Sequence, residues 1–240
     1  MRTDRLTTDG PRAFSLFIGG LVVLALLAFW TPYFSRITLV SEPYVHLHVV
    51  LVVLWMAMLI GQPLLIRARR LALHRSIGRA SFGLAPAIAV SALLLAHSRF
   101  SRMDAPAFDR AAYSLWLPVM ATVAFLGSYG LAITYRRRMA AHAVFMLGTG
   151  LSLVDPILVR LIFFYTPAGE THWIYDVVAI AVITGVLTPV MLRGDRSGHA
   201  RPATAVLLGL FALLTLGWLT LARTDAWAAF ARWFVALPLT

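Results

Sequence analysis

The stretch that decides the fold is Tyr44–Gln62, "YVHLHVVLVVLWMAMLIGQ", a run of Leu, Val and Met with His46 and His48 near its start. An apolar run of this kind has the length of about 20 residues that a helix needs to cross a bilayer. A polar side chain at membrane depth is costly, so it normally faces a partner inside the protein or belongs to a site. The stretch therefore predicts a membrane helix and makes the role of its polar residues the question.

The whole chain has the composition of a membrane protein. Its 240 residues are 60% hydrophobic and 13% charged, roughly half the charge of a soluble domain, and the mean hydropathy is +0.81. The chain has no Lys, which excludes a retinal Schiff base, and no Cys, which excludes disulfides, thiolate metal sites and iron–sulfur clusters. We predict an all-α fold, a polytopic membrane helical bundle.

Seven apolar runs of spanning length follow one another along the chain. Fourteen of the 21 basic residues, all of them Arg, fall in the N-terminal tail and the second, fourth and sixth connectors, and most acids lie on the other side. The positive-inside rule then places the N-terminus in the cytoplasm and the C-terminus outside a bacterial inner membrane. The predicted spans are residues 14–31, 45–66, 80–97, 113–135, 142–165, 174–193 and 203–222.

The net charge of +11 is carried entirely by arginine. In a soluble chain this balance would suggest a nucleic-acid partner. Here the arginines lie between apolar runs, so they indicate orientation signals and contacts with anionic lipids of the bilayer. We expect no nucleic-acid binding.

The predicted organisation is a cytoplasmic tail, residues 1–13, a seven-helix membrane domain, residues 14–222, and an exoplasmic amphipathic segment, residues 223–240. The last segment is too short to cross the bilayer. Its periodicity predicts a helix that lies in the outer interface or against a neighbouring subunit. The residues on its predicted apolar face are Ala226, Phe230, Trp233 and Leu237.

Helical phase sorts the polar residues of the second span. At about 100° per residue, His48, Trp55 and Gln62 form one stripe, and the opposite face is aliphatic. Lipid should touch the aliphatic face, so the stripe is predicted to point inward. His46 lies about 200° from His48 and is predicted at the headgroup level. If the helix begins only after His48, a His-x-His chelate remains an alternative.

The fifth predicted span carries a second polar stripe. Asp155 lies about 140° from Arg160 around a regular helix, before any kink at Pro156. An Asp and an Arg within a membrane helix form a structural ion pair, a ligand clamp or a proton path, and the sequence leaves these alternatives open. The stripe consists of His142, Met146, Thr149, Leu153, Pro156 and Arg160.

Taken together, these motifs resemble a widespread family of functionally uncharacterised bacterial multi-pass membrane proteins. The resemblance rests on the stripe from His48 to Gln62, on "LHRSIG" at residues 73–78, on "HAVFM" at residues 142–146 and on Arg160, so it covers about residues 44–165. One departure is Phe145, where the family motif has Trp. The resemblance implies a membrane fold and no established activity.

A more distant likeness is to the membrane cytochromes of b type, which hold haem between histidines of facing helices. That plan implies His74 with His142 near one membrane surface, and His48 with His97 or His172 near the other. Two histidines ligate such a haem from opposite faces of the macrocycle. The same residues, with arginines nearby, are candidates for a quinone or a metal.

Three functions are compatible with this pattern. The first is a membrane protein that binds a redox cofactor or lipophilic ligand, such as haem, quinone or a metal, through inward polar residues. The second is a non-catalytic accessory or assembly subunit of a larger membrane complex, docked by Trp227, Phe230 and Trp233. The third is a transporter, although no inverted repeat is visible. The candidate binding residues are His48, Trp55, Gln62, His74, His142, Met146 and Arg160.

Overall fold

The described part of the chain is all-helical in the computed structural model. It forms two compact units, Met1–Ile88 and Ala89–Thr240, and α3 begins in the first and ends in the second. The described backbone covers residues 5–166, 172–193 and 198–240. Side chains are described for residues 14–166, 177–192 and 198–240.

The helices follow the predicted apolar runs, with bounds that differ at several places. Two short 3₁₀ turns join them, at Phe34–Arg36 and Ala112–Leu115. The helices are α1 (Arg5–Trp30), α2 (Pro43–Arg67), α3 (Leu71–Phe100), α4 (Ala105–Ala111), α5 (Trp116–Thr134), α6 (Met139–Leu151), α7 (Val154–Tyr165), α8 (His172–Arg193), α9 (Ala200–Thr220) and α10 (Asp225–Val235).

Within the described residues, five segments are long and apolar enough to cross a membrane, which confirms the all-α membrane architecture at that level. Two shorter apolar helices, Phe14–Trp30 and Val177–Leu192, lie within the first and sixth predicted spans. The five segments are Pro43–Arg67, Leu71–Phe100, Ala105–Thr134, Met139–Tyr165 and Ala200–Thr220.

In the first unit, a histidine closes the connection between α1 and α2. The Nε2 atom of His46 lies 2.8 Å from the carbonyl oxygen of Val40. Because a carbonyl only accepts, Nε2 carries the proton, and Nδ1 accepts from the Tyr33 hydroxyl at 2.8 Å. α2 begins at Pro43, a favoured residue for a first helical turn. Both ring nitrogens of His46 therefore hold the loop in place, and neither is left to bind a ligand.

In the second unit, α6 packs closely against α5 and α9 because a glycine lies at the contact. A Cβ atom at Gly148 would lie 2.8 Å from the hydroxyl of Ser128 and 2.8 Å from a methyl carbon of Leu207. Small residues allow membrane helices to approach in this way. The contact fixes α6 just before the point at which this helix ends.

α10 packs inside its own unit, against the 3₁₀ turn Ala112–Leu115. The hydroxyl of Thr224 accepts a hydrogen bond from the backbone N–H of Trp227 and caps the start of the helix. Of the predicted apolar face, Ala226 and Trp233 are exposed, and Phe230 and Leu237 are half-buried beside the core; that this face meets the outer interface or a neighbouring subunit stays a prediction. The buried side of α10 is determined by its contacts with the rest of its unit, and the periodicity of the sequence carries no information about those contacts. The face that is buried consists of Trp227, Ala231 and Phe234.

Candidate functional site

The fifth predicted span is interrupted in its middle. α6 ends at Leu151, a turn follows at Ser152 and Leu153, and α7 begins at Val154. Pro156 has no N–H with which to continue the helical hydrogen bonds. The Ser152 hydroxyl donates to the Thr149 carbonyl at 2.8 Å, which also competes with regular helix. The predicted span over residues 142–165 is thus found as the single segment Met139–Tyr165, with its helix interrupted at Ser152 and Leu153.

The interruption divides the polar stripe that was predicted on this span. His142 and Met146 lie on α6, and both are half-buried. Arg160 lies on α7, also half-buried, and its guanidinium donates to the Pro156 carbonyl at 2.8 Å. Because the helical phase is broken at Ser152, these residues do not form one face of one regular helix.

A cavity of about 70 Å³ opens at the interruption, bordered by α5, α7, α8 and α9. Ser152, Asp155 and Thr215 supply its polar lining, and Trp116 and Trp218 its largest aromatic surfaces. Much of the remaining lining is aliphatic. The cavity is thus an apolar chamber with a carboxylate at one point of its wall.

Two of the hydrogen-bond donors in the cavity wall are already used within the protein. The Ser152 hydroxyl proton is directed to the Thr149 carbonyl, and the indole N–H of Trp116 is directed to the Leu214 carbonyl at 3.2 Å. An ionised Asp155 only accepts. Asp155 also lies in the first turn of α7, where a carboxylate typically contributes about 0.3–1 kcal/mol to a helix. Its place in the cavity wall adds a second role, that of an acceptor for a ligand.

On α2, the structure agrees with the predicted faces. Trp55 is 1% exposed, and His48 and Gln62 are half-buried. Val50 and Val53, on the opposite face, are 56% and 54% exposed. The predicted direction of the stripe is thus confirmed for burial, while ligand binding by it stays a prediction.

Gln62 and His74 bind each other across the turn between α2 and α3. With the side-chain amide of Gln62 assigned so that its nitrogen faces acceptors and its oxygen faces a donor, the nitrogen donates to His74 Nδ1 and, at 3.3 Å, to the His74 carbonyl. The amide oxygen accepts from the Gly78 N–H at 3.2 Å. The sequence analysis missed this pair, although Gln62 and His74 stand six residues before and six residues after Ala68. Their equal distance from the turn is the sequence feature that indicates this pair.

His142 is oriented by the end of α5. Its Nδ1 atom lies 2.9 Å from the Ala132 carbonyl, which only accepts, so the proton is on Nδ1. This leaves Nε2 as the basic nitrogen, the arrangement that ligating histidines usually have. The geometry suits a haem or metal ligand, and such ligation stays a prediction.

His97 is the most buried of the histidines whose side chains are described, at 1% exposed. Its Nδ1 atom lies 2.6 Å from the Thr240 hydroxyl, and its ring meets that of Phe234 edge to face. Its Nε2 atom is buried without a hydrogen-bond partner among the described residues. Leaving such a group unpaired costs about 1–3 kcal/mol.

The predicted histidine pairs are not tested. His48 and His74 belong to the first unit, His97 and His142 to the second, and the side chain of His172 lies outside the described residues. Among the described side chains, no three His, Asp or Glu residues gather as a metal site would require. Haem, quinone and metal binding remain predictions.

The fold and the cavity define a class, that of a multi-pass helical membrane protein with an interrupted helix beside an internal chamber. No protein-family model, no curated protein and no solved structure matches this chain. The resemblance to an uncharacterised membrane family and the likeness to b-type cytochromes therefore remain predictions.

Proposed function

We propose that the protein binds a lipophilic molecule whose hydrogen-bond-donating end enters the cavity at the α6–α7 interruption. The observation that carries the proposal is that Ser152, at the interruption, and Asp155, in the first turn of α7, both line that cavity. A break in the helical hydrogen bonds at membrane depth leaves polar groups without partners, so it is tolerated where the backbone is buried in protein or lines a cavity. Interrupted helices of this kind form ligand sites in membrane transporters.

The lining selects the chemistry of the ligand. Acceptors on the wall favour a group that donates, such as a hydroxyl or an ammonium, and Trp116 and Trp218 offer aromatic surface to a cation. A cavity that holds benzene has a volume of about 150 Å³, so this one admits a small end group rather than a quinone ring or a haem. The rest of the ligand would extend into the apolar surroundings.

Asp155→Asn is expected to weaken binding of decylamine to the protein in nanodiscs about tenfold. The substitution replaces a charged hydrogen bond by a neutral one, a difference of roughly 1.4 kcal/mol. Binding is measured by tryptophan fluorescence, because two tryptophans line the cavity. Decanol should bind more weakly than decylamine, and methyl decanoate, which only accepts hydrogen bonds, weakest of the three.

Asp109→Asn is the matched control. The Asp109 side chain is 67% exposed and lies 4.0 Å from the Arg232 guanidinium, away from the lining of the cavity. This variant should bind decylamine like the unmodified protein. Equal binding of decylamine and methyl decanoate, or equal loss in both variants, would contradict the proposal.

We also propose the finer topology of seven spans in a bacterial inner membrane, with a cytoplasmic N-terminus and an exoplasmic C-terminal segment. The arginine distribution supports it. The aromatic cluster of Trp116, Trp218 and Trp227 also supports it, because tryptophans concentrate at membrane interfaces.

Single cysteines test this topology directly, because the chain has no cysteine of its own. Ala68 and Ser101, at the two ends of α3, are both exposed. A membrane-impermeant maleimide added to intact spheroplasts should label Ser101→Cys and should label Ala68→Cys only after lysis. The reverse pattern would invert the proposed orientation.

A further inference from the structure

The turn between α2 and α3 concentrates positive charge. No Asp or Glu occurs between Glu42 and Asp104, so the local sequence supplies no counterion. Charges of one sign held together in this way repel each other unless external anions compensate them. The arginines, which we call the hairpin arginines, are all exposed; they are Arg67, Arg69, Arg70, Arg75 and Arg79.

Within the described residues, no side chain of the hairpin arginines makes a hydrogen bond, ion pair or ring contact. Several arginines elsewhere are engaged, although Arg36, Arg110 and Arg137 also make no such contact among the described residues. Arg136 donates to the Ile133 carbonyl at 3.1 Å, Arg138 lies over the Tyr135 ring, and Arg201 donates to the Met191 carbonyl at 3.2 Å. The hairpin therefore keeps its guanidinium donors directed to an external partner.

The backbone that carries these arginines is fixed. Arg69 has a φ of 56°, a left-handed conformation uncommon for a residue with a side chain. The Arg70 N–H donates to the Leu65 carbonyl at 2.9 Å, and Gln62 ties α2 to His74 of α3. Because the backbone is already fixed, only the arginine side chains have to be ordered when a ligand binds.

The same turn exposes apolar side chains beside the charges. Leu71, Leu73 and Ile77 alternate with the arginines and are 51%, 42% and 37% exposed, and Phe82 is 55% exposed. A free phosphate or a nucleic acid would gain nothing from such neighbours. A phospholipid has both parts, since its phosphate meets the guanidiniums while its acyl chains cover the apolar side chains.

We propose that the hairpin arginines form a binding site for the phosphate groups of an anionic glycerophospholipid. The fork of a guanidinium pairs with phosphate through two hydrogen bonds, a geometry that an ammonium lacks. The site lies in the first unit and does not depend on the cavity of the second.

Native mass spectrometry of the whole protein in detergent tests the proposal, with cardiolipin and phosphatidylcholine as probes. The protein should retain cardiolipin and not phosphatidylcholine. The triple variant Arg69→Gln/Arg75→Gln/Arg79→Gln should lose at least about tenfold in cardiolipin affinity, since each arginine near an anionic surface contributes measurably. The triple variant Arg136→Gln/Arg137→Gln/Arg138→Gln removes the same charge and should lose less than about twofold, because two of its three arginines already have partners.

Three outcomes would overturn the proposal. Equal loss in both triple variants would mean that net charge alone attracts the lipid. Displacement of cardiolipin by millimolar glycerol phosphate would mean that the site takes a soluble phosphate. Unchanged retention of cardiolipin by the hairpin triple variant would show that the hairpin arginines do not form the site. If the hairpin triple variant does not fold, Arg75→Gln and Arg79→Gln are compared singly, and each should reduce retention more than Arg137→Gln.

Discussion

Trp227→Ala is expected to lower the free energy of unfolding by about 3 kcal/mol, at the low end of what large buried aromatic residues cost on truncation. Trp227 is 9% exposed, and its ring meets that of Trp116 at 4.8 Å, edge to face, and that of Phe230 at 4.9 Å. Its indole N–H donates to the Ala112 carbonyl at 3.0 Å. Truncation leaves a void and removes this hydrogen bond.

The size of this effect depends on packing more than on hydrophobicity. Lipid tails are as apolar as a protein core, so burial in a membrane protein gains little from the exclusion of water. The lost dispersion contacts, the aromatic pairs at about 0.5–1.5 kcal/mol each and the lost indole hydrogen bond remain as costs. Reversible unfolding in mixed micelles, followed by circular dichroism, measures the sum.

Trp233→Ala is the matched control on the same helix. Trp233 is 58% exposed, so its removal should change the free energy of unfolding by less than about 0.5 kcal/mol. An equal cost for the two variants would contradict the orientation of α10. It would mean that Trp233 packs against the bundle as closely as Trp227 does.

What the sequence predicts well here is governed by the bilayer. Apolar length determines which segments are helical, and the exposure of Val50 and Val53 against the burial of Trp55 follows from the cost of polar groups in lipid. These preferences act on each residue independently of its neighbours. Their consequences can therefore be predicted from the sequence without knowledge of how the helices pack.

What the sequence does not predict depends on contacts between elements. The end of α6 at Leu151 reflects the combined effect of glycines, Ser152 and Pro156, each of which a continuous membrane helix can tolerate alone. The pairing of Gln62 with His74 depends on the turn geometry at Arg69. Periodicity assumes a regular helix, so it fails at the interruption that borders the cavity.

Gly217→Ala is expected to lower the free energy of unfolding by about 2 kcal/mol, a typical cost of overpacking. A Cβ atom at this position would overlap the six-membered ring of Trp116, whose Cη2 atom would lie 2.6 Å away. Trp116 cannot easily move, because it is 7% exposed, donates to the Leu214 carbonyl and packs on Trp227. The same unfolding measurement applies.

Gly209→Ala, on the same helix, separates this contact from helix propensity. A Cβ atom at Gly209 would meet nothing within 4 Å, so this variant should gain up to about 1 kcal/mol from the better propensity of alanine. Trp116 also lines the cavity, so Gly217→Ala should weaken decylamine binding while Gly209→Ala leaves it unchanged. Equal stability of the two variants would show that α9 and Trp116 are not in contact. Because the cavity wall depends on that contact, the ligand site would then have to be sought elsewhere in the bundle.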